Sequence, residues 1–192
     1  MIQTIGYLGL FAIAFADSGL LIGLVLPGDS LLVAAGVLAA GGDLNVFLVI
    51  AVCFIGAVAG DSVGYASGRK FGPRIFSRED SWFFRRDQLA RAREFYEAHG
   101  PKTIVFARFI HFARTLVPML AGAAGMRYRT FAAYNVIGGF LWVSAGTLLG
   151  FYLGRAVPHI ERYLLIVVGV VAVCSFAPTA VRWWHSRMDS VQ

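Results

Sequence analysis

Long apolar runs fill most of the chain, and three of them can cross a bilayer core, which needs about 20 residues. These runs are residues 44–68, 131–154 and 163–181. Hydrophobic residues make up 58% of the 192-residue chain and charged residues 15%, against about 25% charged in an average soluble domain. A soluble protein of this size could not bury so much apolar surface. The sequence therefore predicts one all-α membrane domain over residues 1–192 and excludes most soluble enzymes.

The charged residues are distributed unevenly along the chain. The first 68 residues contain acids but no base, and all 17 lysines and arginines lie at or after Arg69. Segment 69–100 is rich in bases, so the positive-inside rule places it in the cytoplasm, together with the C-terminus. This segment also contains aromatic residues and is either an amphipathic helix on the inner leaflet or an ordinary cytosolic helix. Membrane orientation accounts for the net charge of +6 without a nucleic-acid partner.

The apolar region 5–40 is broken at Pro27 and Gly28, where we expect a helix to stop because proline lacks a backbone donor. Asp29 and the following serine would cap a second helix over residues 31–40. That helix, at about 1.5 Å per residue, is too short to cross a core of roughly 30 Å. An apolar segment that neither crosses the membrane nor faces water indicates a re-entrant hairpin.

Region 101–126 has the same pattern. Its apolar arm is broken at Pro118, and the apolar residues after this proline are too few to cross the membrane. Each hairpin precedes a spanning helix that ends in G-x3-G-x3-G-R, at residues 60–69 and 146–155. Since a hairpin returns to its own side and a spanning helix crosses, the second copy begins on the opposite face. We therefore expect an inverted repeat of re-entrant hairpin plus transmembrane helix, followed by an additional C-terminal transmembrane helix. A plain five-crossing bundle is the alternative.

Charged side chains within the two hairpins are the main candidate functional residues. Inserting a charge at membrane depth costs free energy, so a charge found there is first considered for a functional role. The first hairpin carries Asp17 and Asp29, and the second carries Arg108 and Arg114. Inverted symmetry would bring these acids and bases together near the membrane midplane. Arginine presents a rigid fork of donors that suits phosphate, so an anionic head group is the predicted ligand. Alternatively, the charges only pair with one another and lock the hairpins.

Other polar residues are candidates for accessory roles. Ser30 follows Asp29, and Asp61 is either a helix cap or a gate residue. His111 lies midway between the two arginines, so on one continuous helix the three side chains would form a single stripe. It is either a titrating group or a packing residue. Trp142 fits an interfacial anchor better than a ligand-binding residue.

Several motifs resemble the signature of the DedA family of the VTT superfamily, over about residues 8–154. They are Phe15-Ala16-Asp17-Ser18-Gly19, Leu26-Pro27-Gly28-Asp29-Ser30, Gly60-Asp61 with Gly64-Tyr65 and Gly68-Arg69, and Phe106-Ala107-Arg108-Phe109 with Arg114-Thr115 and Pro118. One residue departs from the family pattern, since the first acid is usually a glutamate and is Asp17 here. The wider superfamily is similar to eukaryotic lipid scramblases.

The resemblance implies a transporter of the bacterial inner membrane that flips a phosphate-bearing lipid, undecaprenyl phosphate above all, with protons as the coupling ion. It assigns phosphate binding to Arg108 and Arg114, and proton coupling to Asp17 and Asp29. A passive scramblase of phospholipids such as phosphatidylethanolamine, and a structural or channel-like membrane protein, are the alternatives. No enzyme activity, cofactor or metal site is expected, because the sequence has no lipid-phosphatase motif and no Cys/His metal spacing. A monomer and a homo-oligomer both remain open.

Overall fold

A computed structural model describes residues 2–19, 28–75, 100 and 102–157 of the chain. These residues form α-helices and turns, with no β-strand among them. The helices are α1 (Ile2–Gly19), α2 (Gly28–Ala40), α3 (Val46–Ile75), α4 (Thr103–Ala107), α5 (His111–Ala123) and α6 (Tyr128–Ala156). Pro27, most of the predicted cytoplasmic segment and the predicted span 163–181 lie outside the described residues.

Two of the helices are long and apolar enough to cross a membrane. They are the 26-residue stretch Val46–Phe71 of α3 and the 29-residue helix α6. The first covers the predicted span 44–68 except its first two residues, and the second contains the predicted span 131–154. Large apolar side chains on both helices are more than half exposed, as a lipid-facing surface requires; examples are Phe47, Ile55, Leu149 and Tyr152. The prediction of an all-α fold with membrane-spanning helices over 44–68 and 131–154 is therefore supported for the described residues.

The shorter helices pack against these two long ones. Helices α2 and α5 have 13 residues each, which corresponds to about 20 Å and is less than a bilayer core. Helix α2 packs along α6 and α5 along α3, while α1 packs along α3 and α4 against α6. Small side chains bring these backbones close together, as is common where membrane helices cross. A Cβ atom added to Gly68 in α3, for example, would overlap the carbonyl of Met119 in α5.

The second hairpin region bends at a different point from the one predicted. The prediction that Pro118 interrupts the helix is wrong, because α5 continues through this residue to Ala123. The chain instead turns over residues 108–110, where Ile110 has an extended backbone with φ −109° and ψ 111°. Membrane helices tolerate an internal proline because neighbouring groups compensate for the lost hydrogen bond. Gly28, at the first predicted break, is the first residue of α2.

Candidate functional site

Arg114 lies between two carboxylates in the interior of the helix bundle. Its Nη1 atom is 3.1 Å from Asp29 Oδ1, and its Nη2 atom is 3.1 Å from Asp17 Oδ2. The arginine is 7% exposed and Asp17 is 1% exposed, so water screens this pairing little. The predicted meeting of acids from the first half of the chain with an arginine from the second is confirmed.

Trp142 on α6 contacts both partners of the Arg114–Asp29 ion pair. Its indole Nε1 donates a hydrogen bond of 2.9 Å to Asp29 Oδ1. The guanidinium carbon of Arg114 lies 4.7 Å from the centre of the indole ring, which is a cation–π distance. The interpretation of Trp142 as an interfacial anchor is wrong, since it is only 7% exposed. We call Asp17, Asp29, Arg114 and Trp142 the Arg114 cluster.

The local backbone explains how the Arg114 cluster assembles. Asp17 lies near the end of α1, and a Cβ atom on Gly28 would overlap its carboxylate. Glycine therefore lets the start of α2 approach Asp17 without displacing the carboxylate, and the positive end of that helix dipole favours the carboxylate. Arg114 lies near the N-terminus of α5, where the helix dipole disfavours a cation. The two carboxylates offset this unfavourable position.

A second arginine forms the Arg108 cluster, which consists of Asp61, Arg108 and Asn135. Arg108 makes an ion pair with Asp61 of α3 and donates a hydrogen bond to Asn135 Oδ1 of α6. Asn135 in turn donates to the carbonyl of Val58 at 3.4 Å. All three members of the cluster are buried. Asp61 lies well inside α3, so the interpretation of this residue as a helix cap is wrong.

Arg108 is close enough to the Arg114 cluster to interact electrostatically with Arg114 and Asp17. The arginines do not share a continuous helix, so the predicted stripe on one helix is wrong. Arg108 lies in the turn after α4, whereas Arg114 lies within α5. His111 is the first residue of α5, and its side chain lies outside the described part of the chain.

Sequence reasoning missed Asn135 and the glycines that make room for Arg108, and it assigned Trp142 to the wrong role. A Cβ atom on Gly138 would lie 3.0 Å from the Cδ atom of Arg108. A polar asparagine within an apolar run was the available signal for Asn135. Ser30 is buried in the first turn of α2, and its hydroxyl has no hydrogen-bond partner among the described residues. Across those same residues, no group of three or more metal-ligating side chains occurs.

Comparison with known proteins supports a single family. The sequence profile of the VTT domain matches residues 26–152. Protein DedA of Escherichia coli (strain K12) is 46% identical over 170 residues, covering 87% of this chain and 77% of that protein. Inner membrane protein YqjA of the same strain is 34% identical over 188 residues, covering 94% of this chain and 85% of YqjA.

A mycobacterial protein is similar over almost the whole chain. Uncharacterized membrane protein Rv0364 of Mycobacterium tuberculosis (strain ATCC 25618 / H37Rv) is 37% identical over 189 residues, covering 96% of this chain and 82% of Rv0364. No solved structure matches the chain. The VTT match and the identity to Protein DedA over most of both proteins show that this chain is a membrane protein of the DedA family.

Proposed function

We propose that this protein moves a phosphate-bearing lipid across the bacterial inner membrane, coupled to protons. The proposal depends on one observation, which is the buried Arg114 held between two carboxylates at 3.1 Å. A guanidinium fork binds phosphate in the same bidentate manner as carboxylate. A head-group phosphate can therefore replace an aspartate on Arg114. Undecaprenyl phosphate is the lipid that the family resemblance implies, and its polyprenyl tail would remain in the bilayer.

The carboxylates of the site support proton coupling. Asp17 and Asp29 both form ion pairs with Arg114, and Asp61 forms one with Arg108. An ionised carboxylate repels an incoming phosphate. Protonation of Asp17 or Asp29 would remove this repulsion and release one side of the Arg114 fork. Proton binding and phosphate binding would then favour each other, as reciprocal linkage requires.

In this mechanism Arg108 supplies the second cation for the phosphate. Its partner Asp61 belongs to the spanning helix α3, whereas Arg108 lies in the turn before α5. A bound phosphate would displace Asp61 from Arg108, and Asp61 would bind the arginine again once the lipid leaves. Breaking a buried ion pair without a replacement costs about 3–5 kcal/mol, so the arginines stay paired between transport events.

Matched helix crossings support an inverted repeat of re-entrant hairpin plus spanning helix. At each crossing, one glycine of the short helix contacts the backbone of the long helix, and one glycine of the long helix contacts the backbone of the short helix. The pairs are Gly122 with Tyr65, Gly68 with Met119, Gly36 with Thr147, and Gly150 with Val33. Each short helix thus packs on the long helix of the other half, as two interlocked repeats would. These crossings place Gly68 of the first repeat and Gly150 of the second in equivalent positions. The alignment indicated by the two glycine motifs of the sequence differs from this one by about one helical turn.

The proposed orientation places the basic end of the bundle in the cytoplasm. Arg69 near the end of α3 lines the same cavity as Tyr128, the first residue of α6. The exposed Arg127 and Arg129 flank Tyr128, so the basic ends of both spanning helices lie together. The positive-inside rule favours the cytoplasm for this end. The opposite end of α6, which carries Arg155, would face the periplasm.

Reconstitution of the full chain in liposomes tests this function. The assay measures the rate at which undecaprenyl phosphate changes leaflet, with and without a proton gradient. Arg114→Lys keeps the charge but replaces the fork by one ammonium group, so we expect at least about a tenfold slower rate. Arg155→Lys is the matched control, because this exposed arginine lies outside both clusters, and it should leave the rate unchanged.

The gradient separates coupled transport from passive scrambling. We expect collapse of the proton gradient to slow the wild-type protein, and Asp29→Asn to abolish this dependence while the protein still binds the lipid. A wild-type flipping rate that does not change when the proton gradient is collapsed would rule out proton coupling and favour a passive scramblase. Unchanged flipping by Arg114→Gln would eliminate the assignment of this arginine to the head group.

A further inference from the structure

A cavity of about 440 Å³ opens on α3, outside both arginine clusters. Its lining consists of Ser62, Tyr65, Ala66, Arg69, Lys70 and Tyr128. The first five belong to about two turns of α3, and the last is the first residue of α6. None of these side chains has a role in the function proposed above.

The cavity combines two adjacent cations with hydroxyl groups. Arg69 and Lys70 are exposed, and no carboxylate of the described residues forms an ion pair with either. Lys70 Nζ lies 5.5 Å from the ring centre of Phe71, so an aromatic ring is the neighbour of this ammonium. The Tyr128 hydroxyl donates a 3.2 Å hydrogen bond to Ser62 Oγ. Two adjacent cations are suited to a phosphate group.

The position of the cavity along the helices favours a lipid as the source of that phosphate. The apolar stretch of α3 ends at Phe71, and α6 begins at Tyr128, so the cavity lies where the two spanning helices leave the apolar core. Lipid phosphates and aromatic side chains are concentrated at this depth. The rings of Tyr65 and Tyr128, 5.3 Å apart, form an aromatic wall. Tyr65 is fixed in place by the hydrogen bond it donates to the Met126 carbonyl.

We infer that this cavity binds the head group of an anionic phospholipid, with Arg69 and Lys70 holding its phosphate. The acyl chains would lie in the bilayer beside the exposed apolar side chains of α3, such as Val63. This site differs from the Arg114 cluster because its cations are exposed and its lipid stays in one leaflet. The inference does not depend on lipid transport by the buried arginines.

Lipid retention by the full chain tests the inference. The protein is extracted from vesicles of equal parts phosphatidylcholine and phosphatidylglycerol, and native mass spectrometry counts the lipids that stay bound. We expect wild-type protein to retain phosphatidylglycerol in preference to phosphatidylcholine. The double variant Arg69→Gln/Lys70→Gln should weaken this preference about tenfold, given the usual attraction of basic residues to anionic lipids. Ala66→Phe, which keeps both charges but fills the cavity, should weaken it as well.

The matched control is Arg127→Gln/Arg129→Gln, which removes two exposed charges from the same end of the bundle but not from the cavity lining. This control should retain phosphatidylglycerol as wild type does. Equal loss in the control would overturn the inference, because binding would then follow the general charge of that end. Full retention by both cavity variants would also overturn it. Displacement of the lipid by inorganic phosphate at equal concentration would indicate a site for free anions and would overturn the assignment to a lipid.

Discussion

Trp142 connects the two partners of an ion pair that come from different halves of the chain. Its indole N–H donates to Asp29, and its ring face contacts the Arg114 guanidinium. Removing the Asp29 carboxylate would leave Arg114 on the ring and paired with Asp17, while removing the arginine would leave the Asp29 carboxylate on the indole N–H. The tryptophan therefore supports each charge separately, and in the function proposed above it would hold both in position while a phosphate replaces the aspartate.

Graded substitution separates the two contacts of Trp142. Trp142→Phe removes the hydrogen bond to the Asp29 carboxylate and should cost about 1.5–3 kcal/mol in the free energy of unfolding. Trp142→Leu also removes the ring face and should cost about 0.5–2 kcal/mol more. Chemical unfolding in detergent measures both values. Phe140→Leu on the exposed side of the same helix is the control and should change stability little. Equal stability of the two Trp142 variants would contradict the cation–π contact.

The Arg108–Asp61 pair should show strong energetic coupling. Arg108→Gln leaves the buried Asp61 carboxylate without a counter-charge and should cost about 3–5 kcal/mol of unfolding free energy. Adding Asp61→Asn should recover a large part of this loss, because the remaining partners are neutral. A double-mutant cycle measures the interaction. Additive losses would show that the two side chains do not interact in the folded protein.

The pairing of acids with arginines could be predicted from the sequence because charges in apolar hairpins need partners. Asn135 and Trp142 could not be assigned in the same way. Both lie on α6, and their partners Arg108 and Asp29 are distant in the chain. Only the packing of α6 against Asp29 of the first half and against the turn after α4 brings them together. Contacts of this kind are set by tertiary structure and leave no local pattern.

Some features of the helices could likewise be predicted from the sequence, and others could not. The two spans could be predicted because length and hydropathy determine a membrane-crossing helix. The turn over residues 108–110 could not, since Arg108, Phe109 and Ile110 include no glycine or proline to mark a break. Pro118 is such a marker, but α5 continues through it. Sequence rules for helix ends assume that water competes for the backbone, and this assumption fails where the helix is buried among other helices.

The helix crossings predict opposite effects for two glycines. Gly68→Ala places a methyl group against the Met119 carbonyl at the crossing of α3 with α5, and overpacking of this kind costs about 1–3 kcal/mol. Gly9→Ala lies in α1 with no atom within 4 Å of the added Cβ, and alanine should stabilise this helix by about 0.5–1 kcal/mol. Chemical unfolding in detergent should therefore shift in opposite directions, and a loss of stability in both variants would contradict the crossing geometry.

The orientation of the whole molecule can be tested with single cysteines. Cys53 and Cys174 are first replaced by alanine, and Arg129→Cys or Ala156→Cys is then introduced at an exposed position at one end of α6. A membrane-impermeant maleimide should label position 156 in spheroplasts with an intact inner membrane, but position 129 only after that membrane is permeabilised. The reverse labelling would show that the basic end faces the periplasm.

Helix α3 has neighbours from both halves of the chain, arranged one after the other along its length. Gly56 and Gly60 face α1, Gly64 lies between α1 and α5, and Gly68 faces α5. Helices α1 and α5 both pack on α3. A displacement of either one would therefore change a contact with the helix on which the other also packs. In the transport proposed above, larger residues at these glycines should therefore slow lipid flipping more than they weaken lipid binding.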